Sequence, residues 1–299
     1  MAVVSGWWPV EIDRPWGADA PPVVADHVYH SDNADRSDAG ETARDARGTD
    51  ADRAEYRALV DAVYQAAARE RWEAAKPAFR VEWTEHKQKH PAPPDDSPAI
   101  DEPARRHVEA GCRRIRETEE HTVTPAMLRI EAADQDRHLA GLEHRRKGED
   151  RIVEKVAAAL EEQPNLTPDG ALASVKDAIR YTFQYTEDRY TDGVRADVGR
   201  LQAAGFEPVE LRNSWREEEY KGVNSRWRVP ENGQLFEVQF HTKISFEAKQ
   251  LTHEAYERIR NPVTADAELR DLRKFQRDVC AVVPTPPRSE EVPDIHRRS

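Results

Sequence analysis

The change of hydrophobic period near Asp177 places the strongest constraint on how this chain can fold. Upstream of it, apolar residues recur every three or four positions, as in the segment 148–162, and this spacing predicts helices. Downstream, the segment 178–185 alternates in polarity and is rich in β-forming residues, which predicts a strand. Helices followed by strands and further helices predict an α+β domain in which helices flank a mixed β-sheet.

Further elements follow from the same two periods. Upstream, helices are predicted over 51–89, 103–119, 148–162 and 167–176, and Thr124 before Pro125 predicts another helix start with threonine as its N-cap. Downstream, the predicted elements are a helix over 190–204, a strand over 206–213, an antiparallel pair over 222–229 and 235–241, and a helix over 245–259.

Composition divides the chain into five parts. Residues 1–50 predict an irregular arm, because their second half holds few large apolar residues. Residues 51–89 predict a helical N-terminal region, and the proline-rich segment 90–102 predicts a linker. Residues 103–283 hold the expected sheet domain, and 284–299, rich in proline and charge, predict a disordered tail.

The overall charge restricts which partners the chain can hold. It has 45 basic and 57 acidic side chains, a formal net charge of −12, so a polyanionic substrate needs a local basic cluster. Cys112 and Cys280 lack the spacing of a zinc site, and no apolar run is long enough to span a membrane. The N-terminus shows no signal-peptide pattern, so we expect a cytoplasmic protein, or one secreted by a route without such a signal.

A basic cluster of this kind occurs at 145–155. Its members are Arg145, Arg146, Lys147, Arg151 and Lys155. Like charges four residues apart on a helix repel each other mildly, which favours a row that meets an anion such as a triphosphate. The alternative is a solvated helix face paired with the acidic residues of the same segment.

Polar residues that could carry chemistry lie in the strand half. Glu237 and Gln239 share one face of a predicted strand, and that face must look into water or into a site, since burying it unpaired costs about 1–3 kcal/mol per group. A solvent-facing edge strand is the alternative. Asp177 opens the first strand, where a carboxylate suits Mg²⁺. His253 and Tyr256 lie one helical turn apart, so both can face the sheet, although each alone fits a packing role.

Together these motifs resemble the synthetase domain of the RelA/SpoT family over about residues 140–260. The basic segment resembles the family's R-x-K-x-x-x-S-x-x-x-K motif, with Arg151 in place of the serine. Asp177 resembles the family's metal-binding aspartate, and Phe-Glu-Val-Gln-Phe-His-Thr at 236–242 resembles its V-E-I-Q-I-R-T strand. The chain also resembles secreted Streptomyces nucleotide 3′-pyrophosphokinases and alarmone-synthetase toxin domains.

Two positions depart from the family pattern. The family's Tyr-x-x-x-His motif is matched by Tyr220, but Asn224 stands in place of the histidine, which leaves the acceptor open. Thr182 stands where the family has an arginine, and Arg180, which projects to the same face, is the expected substitute. The sequence carries no Asp/His metal motif of a hydrolase domain, so we do not expect it to degrade its product.

The resemblance implies a nucleotidyltransferase-like fold and the transfer of diphosphate from ATP to the 3′-hydroxyl of a purine nucleotide. It implies that the ATP phosphates are held by Arg145, Lys147, Arg151, Lys155 and Arg180. It also implies that Asp177 and Glu237 bind Mg²⁺, that Glu237 accepts the hydroxyl proton, and that Gln239 orients Glu237 or the ribose. The acceptor is expected to contact Tyr220, Asn224 and His253, with the tyrosine stacked on the base.

Other functions fit the same residues. One is the pyrophosphorylation of tRNA 3′ ends, which the acidic chain disfavours mildly. Another is a catalytically degenerate module that binds nucleotides or a partner. Unregulated alarmone synthesis would make the chain a toxin, and a toxin implies an immunity or antitoxin protein as its partner.

Overall fold

A computed structural model describes residues 50–91 and 100–296 of the chain. The predicted arm, apart from residue 50, and most of the predicted linker lie outside the described residues. From Leu59 onwards, the described residues belong to one compact unit. Most of the region 51–89 therefore shares a compact unit with the sheet, although the proline-rich segment separates them in sequence.

The described residues contain eight α-helices and six strands. The helices are α1 (Asp50–Lys89), α2 (Glu102–Thr118), α3 (Thr124–Ala132), α4 (Glu149–Glu162), α5 (Pro168–Ser174), α6 (Tyr190–Ala203), α7 (Lys243–Arg260) and α8 (Asp266–Ala281). The strands are β1 (Arg137–Leu139), β2 (Arg180–Tyr185), β3 (Glu207–Asn213), β4 (Val223–Arg228), β5 (Leu235–Thr242) and β6 (Ile295–His296). A π-helical turn (Glu119–Val123) and two 3₁₀ turns (Leu142–His144 and Ser289–Glu291) complete the list.

The strands form one mixed sheet in the order β1-β2-β5-β4-β3-β6. Only β2 and β5 pair in parallel, and the other neighbours are antiparallel. The α+β class, the mixed sheet and the antiparallel pairing of β4 with β5 are therefore confirmed. The strands β2, β3, β4 and β5 were recognisable because their side chains alternate between a core face and a second face.

The two faces of the sheet have opposite character. On one face, aromatic side chains from neighbouring strands stack, and the rings of Phe183 and Phe240 lie 6.2 Å apart. On the other face, the pairing places Arg180 of β2, Glu237 of β5 and Arg226 of β4 side by side. A polar row across three adjacent central strands is unusual for a sheet that only packs on a core, and it marks the site.

The helical region before the sheet differs from the prediction at Thr124. The chain is helical without a break from α2 through the π-helical turn into α3, so Thr124 lies inside a helix and is not an N-cap. The prediction of Thr124 as an N-cap is therefore wrong, although α3 does begin at Thr124. Pro125 lacks an N–H and disrupts an α-helix, and the wider π-helical turn immediately before it accommodates the missing bond.

The C-terminal segment also differs from the prediction. Residues 284–296, expected to be disordered, fold onto the sheet, and β6 pairs with β3. The side-chain amide of Asn213 donates to the carbonyls of Ser289 (2.8 Å) and Val292 (2.9 Å), and Val292 is buried. The abundance of proline and charge predicted disorder, but a few residues of the segment make contacts that anchor it. The strands β1 and β6 and the helix α8 were not predicted.

Candidate active site

Asp177 lies just before β2 and gathers three positively charged side chains. Lys147, before α4, and Lys155, within α4, each place Nζ 3.1 Å from one of its carboxylate oxygens. Arg180, in β2, donates to the same carboxylate at 2.9 Å. Burial alone would raise the pKa of Asp177, but these three cations outweigh it and hold the pKa well below its usual range.

A hydrogen-bonded chain continues from Asp177 across the sheet. The Nε of Arg180 donates to Glu237 Oε2 at 2.8 Å, so one guanidinium links both carboxylates. The amide nitrogen of Gln239 donates to Glu237 Oε1 at 2.7 Å. Lys249, from α7, donates to Oε1 of the Gln239 side chain. The predicted residues Asp177, Arg180, Glu237 and Gln239 are thus brought together.

Burial changes the acidity of two lysines at the site. Burial lowers the pKa of Lys147, although Asp177 opposes the shift. Burial, followed by the nearby charge of Arg180, lowers the pKa of Lys249 to about 7. Lys249 therefore changes charge near neutral pH, which an exposed lysine does not do.

Arg145 is held at the rim of this cluster by a buried carboxylate. Glu119, in the π-helical turn, is fully buried and accepts from Arg145 Nε at 2.6 Å and from Arg146 at 3.2 Å. Thr124 also donates to Glu119. Burial opposes ionisation of Glu119, but the hydrogen bonds from Thr124 and Arg145 prevail and its pKa is lowered. The π-helical turn therefore anchors the first half of the basic segment.

Arg151 does not join the other basic residues. Its side chain is 73% exposed and pairs with Glu154 of the same helix at 2.8 Å, whereas Lys147 and Lys155 converge on Asp177. Arg151 therefore fits the alternative interpretation of the basic segment, a solvated helix face that pairs with acidic residues. The same-face row predicted from four-residue spacing holds only in part, because Lys147 precedes the first turn of α4.

The predicted acceptor residues lie further along the polar face. The hydroxyl of Tyr220 donates to Asn224 Oδ1 at 2.9 Å and lies 2.8 Å from Nε2 of the buried His241. Burial lowers the pKa of His241 well below its usual value, so its ring is neutral. His253 is exposed on α7, and its pKa is lowered by the surrounding protein together with Lys249 and Arg180, although Glu257 opposes the shift.

The site offers carboxylate oxygens, the kind of ligand that Mg²⁺ prefers. Within residues 50–91 and 100–296, no group of three or more His, Cys, Asp or Glu side chains could hold a metal ion. Asp177 and Glu237, joined through Arg180, offer two carboxylates, which is the number that Mg²⁺ takes when phosphates supply its other ligands. The residues therefore fit a metal that arrives with a nucleotide. They do not form a closed protein site.

Solved structures that resemble this chain are alarmone synthetases and a GTP pyrophosphokinase family protein. Small alarmone synthetase 1 from Bacillus subtilis is 14% identical with a TM-score of 0.39, and the match covers 61% of this chain and 93% of that one. Small alarmone synthetase 2 from the same organism is 10% identical with a TM-score of 0.37, covering 62% and 94%. A GTP pyrophosphokinase family protein from Streptococcus pneumoniae is 14% identical with a TM-score of 0.35, covering 68% and 89%. No protein-family model and no curated protein matches the sequence.

Three further residues of the site were not predicted. Lys249 and Glu119 looked like solvated charges of helices, and nothing in their spacing distinguished them. Arg226 pairs with Glu210 at 3.1 Å, and burial lowers its pKa. A charged residue inside an alternating strand, opposite Glu237, was the one available signal for Arg226.

Among the described residues, no helix is long and apolar enough to cross a membrane.

Proposed function

We propose that this chain is a pyrophosphokinase that transfers a diphosphate group from ATP to the 3′-hydroxyl of a purine nucleotide. The observation that carries the proposal is the gathering of Lys147, Lys155 and Arg180 on Asp177, next to Glu237. Three cations face two carboxylates, so the site keeps a local positive charge inside a chain of net charge −12. A triphosphate can take over the lysine contacts and supply the missing negative charge.

The residues divide the reaction between donor and acceptor. Lys147, Lys155 and Arg180 bind phosphate oxygens, and Arg145, anchored by Glu119, extends the cationic surface. Asp177 and Glu237 would hold Mg²⁺, which when bound offsets the negative charge of the transferred phosphates. Tyr220, with Asn224 beside its hydroxyl, would stack on the acceptor base.

Proton transfer falls to Glu237. The 3′-oxygen of the acceptor forms a bond to the β-phosphorus of ATP, the bond from that phosphorus to the oxygen bridging it to the α-phosphorus breaks, and AMP leaves with that oxygen. The proton of the 3′-hydroxyl passes to a carboxylate oxygen of Glu237. Both oxygens of Glu237 already accept one hydrogen bond, from Arg180 and Gln239, and these bonds fix the orientation of the carboxylate.

The test is an acceptor panel. The protein is incubated with ATP, Mg²⁺ and GTP, GDP, ATP, ADP or tRNA, and products are identified by mass spectrometry. We expect AMP and a 3′-pyrophosphorylated purine nucleotide in equal amounts. AMP without that product would refute the proposal. A pyrophosphorylated product found only on tRNA would show that the acceptor is tRNA and not a free purine nucleotide. Glu237→Gln should lose the activity, whereas Glu231→Gln, at an exposed turn, should keep it.

A toxin role follows from the same chemistry. An unregulated synthetase drains purine nucleotides, so expression of the wild type is expected to arrest growth of a bacterial host, and expression of Glu237→Gln is not. Equal arrest by both variants would separate toxicity from catalysis. If the wild type arrests growth, co-expressed neighbouring genes can be screened for an immunity protein.

A further inference from the structure

We propose that Lys249 is a positioning residue that orients the Glu237 carboxylate through the side-chain amide of Gln239. The proposal rests on the proposed function, in which Glu237 accepts the proton. Lys249 donates to Oε1 of the Gln239 side chain, and Nε2 of the same side chain donates to Glu237 Oε1 at 2.7 Å. Lys249 therefore reaches Glu237 through one intervening side chain.

The amide of Gln239 makes this relay directional. An amide has an acceptor at one end and donors at the other, so the partner of one end decides what the other end presents. With its oxygen occupied by Lys249, Gln239 turns its nitrogen towards Glu237. The reversed amide would set oxygen against oxygen among residues that are at most 6% exposed, which is costly in a low-dielectric site.

The junction between β5 and α7 places Lys249 opposite Gln239. Thr242 caps α7, accepting from the Ser245 backbone, and this fixes where the helix begins. Four residues of helix rise about 6 Å and two residues of strand about 6.7 Å, so helix positions 245 and 249 match strand positions 241 and 239. His241 Nδ1 indeed lies 2.9 Å from Ser245 Oγ. The contact of Gln239 with Lys249 is the next one along the strand and the helix.

One further contact and the partial burial of its side chain indicate that Lys249 is directed into the site. Its ammonium group lies 5.2 Å from the ring centroid of Phe246, which supports it from its own helix. The side chain is partly buried, whereas Lys243 at the start of the same helix is exposed. An interior lysine is uncommon in a folded protein, and this one has a defined acceptor.

The expected consequence is a loss of turnover with little change in donor binding. Lys249 contacts Gln239 and Phe246, whereas the cations of the donor cluster contact Asp177. Removing Lys249 leaves Glu237 its bond from Arg180 but frees the amide that holds its other oxygen. The effect should therefore appear in kcat and not in KM for ATP.

The experiment compares Lys249→Met with its matched control Lys243→Met, using the acceptor that the panel identifies. Lys249→Met is expected to lower kcat about tenfold to a hundredfold, the range typical for a partner that orients a reacting group, while KM for ATP stays nearly unchanged. Lys249→Arg keeps a donor and should recover part of kcat. Lys243→Met should match the wild type. An unchanged kcat in Lys249→Met overturns the proposal.

A double-mutant cycle tests whether Lys249 acts through Gln239. If it does, adding Lys249→Met to Gln239→Leu lowers kcat no further, and full multiplication of the two losses overturns the relay. A wild type without product refutes the proposed function instead. In that case the same cycle is read in urea unfolding, where coupling between positions 249 and 239, but not between 243 and 239, supports the contact and its absence refutes it.

Discussion

Asp177 is the residue on which the electrostatics of the site depend. It brings together three cations from the segment before α4, from α4 itself and from β2, which would otherwise repel one another. A single carboxylate with three cationic partners can release some of them to a substrate without being left alone. This arrangement suits a site that opens towards phosphate, and a purely structural ion pair does not need it.

Replacing Asp177 by asparagine tests this residue. We expect Asp177→Asn to lose pyrophosphate transfer and to lower the free energy of unfolding at pH 7 by about 1–3 kcal/mol, because its cationic partners lose their carboxylate. The folded carboxyl has a depressed pKa, so its contribution is present above pH 3.8 and is lost as the pH falls below that value. Urea unfolding at pH 7 and pH 3 measures the change.

The control for this change is Asp188→Asn, at an exposed position close in sequence. It should leave stability within about 0.5 kcal/mol at either pH, as surface substitutions usually do. The stability gap between the wild type and Asp177→Asn should narrow at pH 3. A gap that stays constant between the two pH values would show that Asp177 contributes through packing and not through its charge.

Lys249 gives a pH dependence of the same sign in a different window of pH. The charged groups facing it are Arg180 and Glu237, and burial with Arg180 lowers its pKa from 10.5 to about 7. Between these values the unfolded state holds a proton that the folded state has released, so stability rises with pH across this window. Lys249→Met should remove this rise. Urea unfolding at pH 7, 8 and 9 measures it, and parallel curves for the wild type and the variant would contradict it.

Among the elements, the π-helical turn between α2 and α3 has the clearest functional consequence. Such turns are rare and are often found at functional sites. Here the turn carries the buried Glu119 to the side chains of Arg145 and Arg146. Burying a carboxylate inside a helix is unfavourable unless the carboxylate is paired. Glu119 is fully buried, and its cationic partners lie at the start of the basic segment.

Glu119→Gln tests the turn. The neutral amide loses the charge-assisted bonds to Arg145 and Arg146, so the arginines become less ordered for donor binding. We expect KM for ATP to rise about tenfold with a smaller change in kcat. Glu120→Gln is the matched control, because Glu120 is its neighbour, is 46% exposed and pairs with Arg146 at the surface. A KM equal to that of the control would show that Glu119 serves the fold only.

Local periodicity explains which elements could be predicted. The strands β2 and β5 alternate cleanly, and α4, α6 and α7 keep an apolar stripe, so their positions follow from the sequence. Thr124 carries a correct local signal for a helix start, but the preceding helix continues through it. Contacts between elements, such as that of Lys249 in α7 with Gln239 in β5, leave no periodic trace, because a lysine on a helix has the same local pattern whether it is solvated or buried.

For the whole molecule, the C-terminal segment shows how much composition can mislead. Residues 284–296 interact with β3 through β6 and with α6 through side chains, and Arg288 pairs with Asp192 at 2.7 Å. The segment covers the edge of the sheet at β3, which would otherwise present unpaired backbone groups. This makes it part of the fold.

A chain truncated after Val283 tests that role. It loses the buried side chain of Val292 and the two bonds to Asn213, and we expect a loss of about 3 kcal/mol in the free energy of unfolding, from one buried valine and two hydrogen bonds. A chain ending at His296 is the control and should match the full chain. Because the segment contacts Gln65 of α1, helix α6 and strand β3, which lie outside the Asp177 cluster, kcat should be retained wherever the truncated chain is folded. Unchanged stability after truncation would show that the segment merely rests on the sheet.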